Sequence, residues 1–363
     1  MSRLKEYLSD PLLRFLYDEI RSAGPVRSVS LDLTNVCNLR CKGCYYFEEG
    51  MDRAGEGSDQ AVEDWIRHEV ERGTNFVTIV GGEPSLQLPR LKRLYDHFHL
   101  SVASNGLTRI PKDGFENLPI GISVWGTKDT DSKLRANGRR DLFSEALRNY
   151  NGDERAFWYY TVAPGHAEEI EAVVEQCLQN GNRVLFNYYT DMAGLGGRLD
   201  YRQGFTDVTK EIDRMIDRHP GKVLTTKYFN KVVTSSRLYD MNWGYDVCTN
   251  VSVNLLQNQL RMSNGQPFNP HFRAYNADFA STRRCCTGTN RNCDSCFDSW
   301  EHFSWIMLHM KKHLGSKEEF ANWLGTVFMF YFTTRLVKYS DGDAILEQVH
   351  RLGVDEEYEW AVK

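Results

Sequence analysis

The chain has no surplus of positive charge: 44 Lys and Arg stand against 49 Asp and Glu in 363 residues, a net charge of −5. It therefore lacks the basic footprint that nucleic-acid binding needs, and no nucleic-acid partner is expected. Long apolar runs are missing too. The most hydrophobic stretch, Trp323 to Phe332, falls far short of the roughly 20 residues that cross a bilayer, and Met1 to Leu8 hold no signal-peptide core. The expectation is a soluble, cytoplasmic protein with no membrane association. In that reducing compartment nine cysteines read as thiols and metal ligands rather than disulfides. The ten histidines show no metal-ligand spacing, and there is neither a low-complexity segment nor a repeat longer than one strand plus one helix.

What is present is a strict alternation. Asp10 and Pro11 open a helix with an apolar stripe of Leu13, Leu16, Tyr17 and Ile20, stopped by Gly24 and Pro25. Strands are then expected at 29–34, 75–80, 99–104, 119–124, 157–162 and 183–188. Between them lie helices: one capped by Ser58 with Val62, Trp65, Ile66 and Val70 on one face, one at 86–97, one around Phe143 to Tyr150, and one around Ile170 to Leu178. Strands and helices alternating at this spacing mean a parallel sheet with crossover helices. Cys177 shares the apolar face of Ile170, Val173 and Val174 and reads as core packing. Past residue 200 the alternation fades. A helix is expected at 207–218, a hairpin signal stands at Ser263 to Gly265, and helices follow at 298–313, after the capping box Ser316 to Glu319, and around Ile345 to Val349.

Three cysteines, Cys37, Cys41 and Cys44, follow the first strand within eight residues. Three thiolates hold three irons of a [4Fe-4S] cube and leave the fourth iron open to a ligand. A zinc knuckle or a two-cluster ferredoxin is the other reading of such a loop. The Cys-x3-Cys-x2-Cys spacing resembles the signature of the radical S-adenosylmethionine (radical SAM) superfamily. The resemblance implies an α/β fold, a partial (β/α)6 barrel. It also implies that SAM chelates the open iron and is reductively cleaved to methionine and a hydrogen-abstracting 5′-deoxyadenosyl radical.

In parallel β/α sheets ligands gather at the carboxyl ends of the strands. Gly81, Gly82, Glu83 and Pro84 follow the second strand, Ser104 and Asn105 the third, and Ser123 sits near the end of the fourth. The resemblance assigns the first group to the methionyl ammonium of SAM through backbone carbonyls and the Glu83 carboxylate. It places Ser104, Asn105 and Ser123 at the ribose or methionyl carboxylate, Arg135 in a salt bridge to that carboxylate, and Asn187 or Val162 at the adenine. Family members commonly carry an aromatic residue just before the third cysteine. Here that position is Gly43, and Tyr45 is the expected substitute.

Five further cysteines lie between residues 248 and 296. Their pattern resembles the shortened SPASM or twitch extension that holds one auxiliary [4Fe-4S] cluster, with Cys248, Cys286, Cys293 and Cys296 as ligands. A zinc ribbon is the alternative. Cys285 is then a spare thiol, either a bystander or a hydrogen-atom donor of the kind radical epimerases use. The domain reading is an N-terminal helix (1–25), a radical SAM core (26–200), an auxiliary cluster region (201–298) and C-terminal helices (299–363). Only a short segment precedes the first strand, so a small-molecule substrate such as a sugar or nucleoside is expected, dehydrogenated or epimerised with electrons from a flavodoxin- or ferredoxin-type reductant. A maturase of a short peptide and a non-catalytic electron-transfer or sensor protein are the alternatives.

Overall fold

Asp10 accepts from the backbone N–H groups of Leu12 (3.0 Å) and Leu13 (3.2 Å), which starts the second helix as its sequence predicts. The computed structural model describes residues 3–190, 198–235, 249–256, 259, 269–285, 287–288 and 296–352. Two helices, α1 (Arg3–Tyr7) and α2 (Pro11–Ala23), lead into β1 (Ser28–Asp32). Then come α3 (Tyr45–Glu48), α4 (Asp59–Glu71), β2 (Phe76–Val80), α5 (Leu88–Tyr95), β3 (His99–Ser104), β4 (Ile120–Val124), α6 (Lys128–Ala136) and α7 (Leu142–Asn149). After β5 (Ala156–Val162) follow α8 (Ile170–Gln179), β6 (Arg183–Tyr188), α9 (Arg198–Arg218) and α10 (Lys227–Thr234).

These six strands are parallel and lie in the order β6-β5-β4-β3-β2-β1. Their register runs from Ser28 opposite Phe76 on one side to Val162 opposite Tyr188 on the other. The order has two ends, as an open barrel requires. Two short strands extend it beyond β1: β7 (Ala274–Tyr275), parallel to β1, and β8 (Thr282–Arg283), antiparallel to β7. The later part of the chain thus joins the same sheet. Strand pairing alone is thin for segments of two residues, and a buried charge network holds them. Arg283 makes a two-pronged ion pair with Asp32 at 2.7 and 2.8 Å. Tyr275 donates to Glu69 of α4 at 2.6 Å.

That second contact corrects the helical face expected for α4. Val62, Trp65 and Ile66 are buried, but Val70 is 49% exposed and Glu69 takes the inward position. The Glu69 carboxylate accepts from Arg72, Thr74 and Tyr275. A buried carboxylate with three donors is satisfied, where an apolar side chain would leave those donors without an acceptor.

The C-terminal helices are α11 (Ser299–Leu308), α12 (Lys317–Thr333) and α13 (Gly342–His350). The helix expected at 298–313 divides: His309 ends α11, and a separate 3-10 turn covers Met310–His313. The capping box of α12 forms in both directions, with Glu319 N to Ser316 Oγ and Ser316 N to Glu319 Oε2 each at 3.1 Å. Helix α12 is apolar nearly all round because it is enclosed nearly all round. Its Phe330 ring meets Phe76 of β2, and Trp300 of α11 meets Tyr159 of β5, with ring centroids 5.9 and 6.3 Å apart. The helix pair therefore lays aromatic rings against two of the core strands. Among the described residues no helix is long and apolar enough to cross a membrane.

Candidate functional site

The carboxyl ends of β1 to β6 surround one cavity of about 660 Å3. Its wall includes Cys37, Cys41 and Cys44, and also Tyr45, Gly81, Gly82, Glu83, Ser104, Asn105, Ser123, Arg135 and Asn187. Residues scattered over 150 positions thus meet at one edge, as the strand-end rule requires. Pro84 is the exception. It is buried, opens the 3-10 turn Pro84–Leu86 and is not part of the wall.

The turn after β2 is pressed against the chain that enters the cysteine loop. Gly82 N donates to Thr34 O at 2.8 Å, and Glu83 N to Val36 O at 2.9 Å. A Cβ on Gly82 would lie 2.2 Å from the Val36 carbonyl oxygen, and one on Gly81, at φ +110, would lie 2.8 Å from the Thr34 oxygen. The two glycines are therefore required first by the close approach of two backbones. Glu83 is 1% exposed. Its carboxylate accepts from Ser104 Oγ (2.8 Å), Asn105 N (2.7 Å) and Ser85 N (3.0 Å). The side chain is spent on joining β2 to β3, and Glu83 O accepts from Leu86 N at 3.1 Å, which leaves the carbonyls of Gly81 and Gly82 as this turn's polar atoms for a ligand.

Asn105 passes the connection on, because its Nδ2 donates to Asn38 Oδ1 of the cysteine loop at 2.7 Å. Within the loop Leu39 N donates to the Cys37 sulfur at 3.4 Å, Cys44 N to Cys41 O at 3.3 Å, and Lys42 N to Leu134 O of α6 at 2.8 Å. Asn105→Ala removes this hydrogen bond and the one its Oδ1 accepts from Leu107 N at 3.0 Å, about 1 kcal/mol each, and is expected to speed loss of loop-bound iron to a chelator several-fold, read as bleaching of the cluster absorbance, with a melting temperature lowered by only a few degrees.

Arg135 is 3% exposed. Its Nη1 donates to Ser123 O (2.8 Å) and to both oxygens of Asp131 (3.0 and 3.2 Å), and the guanidinium also reaches the Cys41 thiol. Asp131, one turn earlier on α6, was not identified from sequence, and its carboxylate also accepts from Trp125 N at 2.8 Å. Asn187 is similarly engaged. Its Oδ1 accepts from Tyr159 Oη (3.2 Å) and Ser299 Oγ (3.0 Å), which ties β5 and β6 to the start of α11.

Burial pushes the Cys37 thiol up to about 11 and raises Cys44 and Cys41 as well, with Arg135 pulling Cys41 the other way. Without metal the three sulfurs hold their protons at neutral pH, so loading iron expels protons from this loop. Three clustered, half-buried thiols on one loop are a fitting donor set for a site-differentiated cluster, and the adjacent cavity has the size of a nucleotide-class ligand.

Of the second cysteine group, Cys248, Cys286 and Cys293 lie outside the described residues, as does the hairpin signal at 263–265. Cys296 is buried. Cys285 pairs with Gly288 across a small turn, its N–H reaching Gly288 O at 3.2 Å and its thiol contacting Thr287 Oγ1 at 3.8 Å and Gly288 O at 3.6 Å. Thr287 is part of the cavity wall; Cys285 is not. Cys177 is buried in the core.

The family model described as Radical SAM superfamily matches residues 31–151, the segment that runs from β1 through the cysteine loop to the end of α7. This segment is a radical SAM domain. It is 30% identical over 171 residues to the sporulation killing factor maturation protein SkfB of Bacillus subtilis (strain 168), covering 42% of this chain and 40% of that one. It is 25% identical over 200 residues to a protein of Archaeoglobus fulgidus, covering 53% and 48%. The chain spans less than half the length of these curated relatives. Among solved structures, native anSMEcpe with bound AdoMet superposes with a TM-score of 0.50 at 17% identity, covering 77% of this chain and 80% of that one; this likeness is one of fold. A radical SAM domain carries a [4Fe-4S] cluster and SAM, and Cys37, Cys41 and Cys44 are the residues here that match its cluster motif.

Proposed function

We propose that this protein is a radical SAM maturase that abstracts a hydrogen atom from a peptide substrate. What carries the reading is the convergence of Cys37, Cys41, Cys44 and the Gly81–Glu83 turn on one cavity. Bound together, the cluster and SAM supply one-electron reductive C–S cleavage and hence a radical that abstracts hydrogen. The chain's own residues do the positioning. The three thiolates hold the cluster, the carbonyls of Gly81 and Gly82 orient the methionyl ammonium, and Ser123 faces the ribose or the methionyl carboxylate. Ser104, Asn105 and Glu83 keep that edge rigid. Arg135, paired with Asp131, presents a fixed positive charge beside the cluster loop. Tyr159, Trp300 and Phe330 wall the inner part of the cavity and keep water from a reactive intermediate. Cys248, Cys286, Cys293 and Cys296 are the proposed ligands of an auxiliary cluster, and a flavodoxin- or ferredoxin-type protein is the proposed electron donor.

The likeness to SkfB, a maturation protein by name, favours a gene-encoded substrate over the sugar or nucleoside expected from the short N-terminal segment. The test uses anaerobically reconstituted protein with SAM and dithionite, assayed for 5′-deoxyadenosine while extract fractions from the producing cells are added. A stimulating fraction that loses its effect after protease digestion supports a peptide substrate. One that survives digestion returns the small-molecule reading. Neither product formation nor a change in the cluster's EPR signal on adding SAM would leave only an electron-transfer or sensor role.

A further inference from the structure

We propose that Tyr189, at the end of β6, supplies the aromatic wall that Gly43 leaves open in the cysteine loop, and that its ring packs against the adenine of SAM. The proposal rests on the reading of the cavity as the SAM site. Gly43 has φ +75, a left-handed conformation that favours glycine. A Cβ built there would lie 3.0 Å from Tyr189 Oη, 3.5 Å from Cε2 and 3.7 Å from Cζ. The Tyr189 ring therefore already stands where a side chain at position 43 would begin. The site has room for one aromatic residue beside the third cysteine, and here it arrives from the opposite side of the barrel.

Its placement is well defined. Tyr189 N donates to Val162 O of β5 at 2.8 Å. The preceding Tyr188 donates through its hydroxyl to Asn230 at 2.8 Å, and the following Thr190 accepts from Phe297 N at 3.1 Å. Trp125, at the end of β4, meets the Tyr189 ring edge-on, with centroids 6.4 Å apart and planes at 71°. Both rings line the main cavity and also a second one of about 380 Å3 bounded by Lys42, Leu134, Tyr160 and His166. They form a partition between two spaces, and an aromatic ring lining a nucleotide-sized cavity offers a purine a surface to pack on. Tyr45 also lines the main cavity, so the two tyrosines are separable candidates for this role.

The experiment is equilibrium dialysis of SAM, 5′-deoxyadenosine and methionine against anaerobically reconstituted wild type, Tyr189→Leu, Tyr189→Ala, Tyr189→Phe and Tyr45→Ala, with iron counted in each. If Tyr189 is the adenine wall, the Leu and Ala variants keep their iron and their methionine affinity but bind SAM and 5′-deoxyadenosine about tenfold more weakly, while Tyr189→Phe stays close to wild type. Unchanged affinities in the Leu and Ala variants overturn the proposal. So does an equal loss for methionine, a loss confined to Tyr45→Ala, or iron loss in both variants, which marks Tyr189 as a prop for the loop. Wild type that binds no SAM removes the SAM-site reading itself, an outcome in which Tyr189 plays no part.

Discussion

Gly82→Ala is expected to leave the protein folded but unable to keep iron on Cys37, Cys41 and Cys44. The added methyl would sit 2.2 Å from the Val36 carbonyl oxygen and 2.6 Å from its carbon, both backbone atoms one residue before Cys37. Neither side can yield cheaply, because Gly82 N and Glu83 N are bonded to Thr34 O and Val36 O across the same contact. Relief comes from pushing the cysteine loop away from the β2 turn, at a cost of about 3 kcal/mol. The sheet itself is untouched, so far-UV circular dichroism should match wild type. Iron per chain after anaerobic reconstitution, with the charge-transfer absorbance of the cluster, is the measurement. Iron retained at the wild-type level would mean that the loop and the turn move independently.

Arg283→Met is expected to be strongly destabilising. Arg283 and Asp32 are 2% and 0% exposed and bonded through both guanidinium nitrogens, and Arg283 also holds Tyr275 O and Asn276 Oδ1 at 2.8 and 3.1 Å. Removing one partner of such a pair strands the other charge, which costs about 3–5 kcal/mol and lowers the melting temperature by roughly 10 °C. Asp32→Asn combined with Arg283→Met should recover part of the loss, because no charge is then stranded.

The same pair has a pH signature. Burial pushes the Asp32 carboxyl up to about 6 against the pull of Arg283. A carboxyl raised above its ordinary value near 3.8 favours the fold when protonated. Its contribution is complete below pH 4 and is lost as pH rises through 6, a swing of about 3 kcal/mol. In Arg283→Met the opposing pull is gone, so the loss should continue to higher pH than in wild type. Denaturation midpoints measured from pH 4 to 8 test this. Parallel curves for wild type and variant would show that the two groups are not coupled.

The six core strands were legible because each is a short apolar run bounded by turn formers, and the observed limits differ from the expected ones by at most two residues. Helix α6 was not, although Arg135 was picked out on it. Lys128 to Ala136 has no apolar stripe, since its buried face is the charged pair of Asp131 and Arg135 with Ser132. The strands β7 and β8 are two residues each, too short for any period to register. The inward turn of Glu69 in place of Val70 depends on Tyr275, 206 positions away. Tyr189 follows β6 as Asn105 follows β3, and the strand-end rule that singled out Asn105 applies equally to it.

By itself the sequence determined the cofactor chemistry and its address: sulfur ligands at fixed spacing after the first strand, with candidate ligand-binding turns after the next strands. Those are local properties, set by residues a few positions apart. The tertiary structure decided what each polar side chain is for. Glu83 is consumed by Ser104 and Asn105, Arg135 by Asp131, Asn187 by Ser299, and the place beside Gly43 is filled by Tyr189. A buried polar group takes the partner that folding brings to it, and partners separated by tens to hundreds of residues leave no mark in the local pattern.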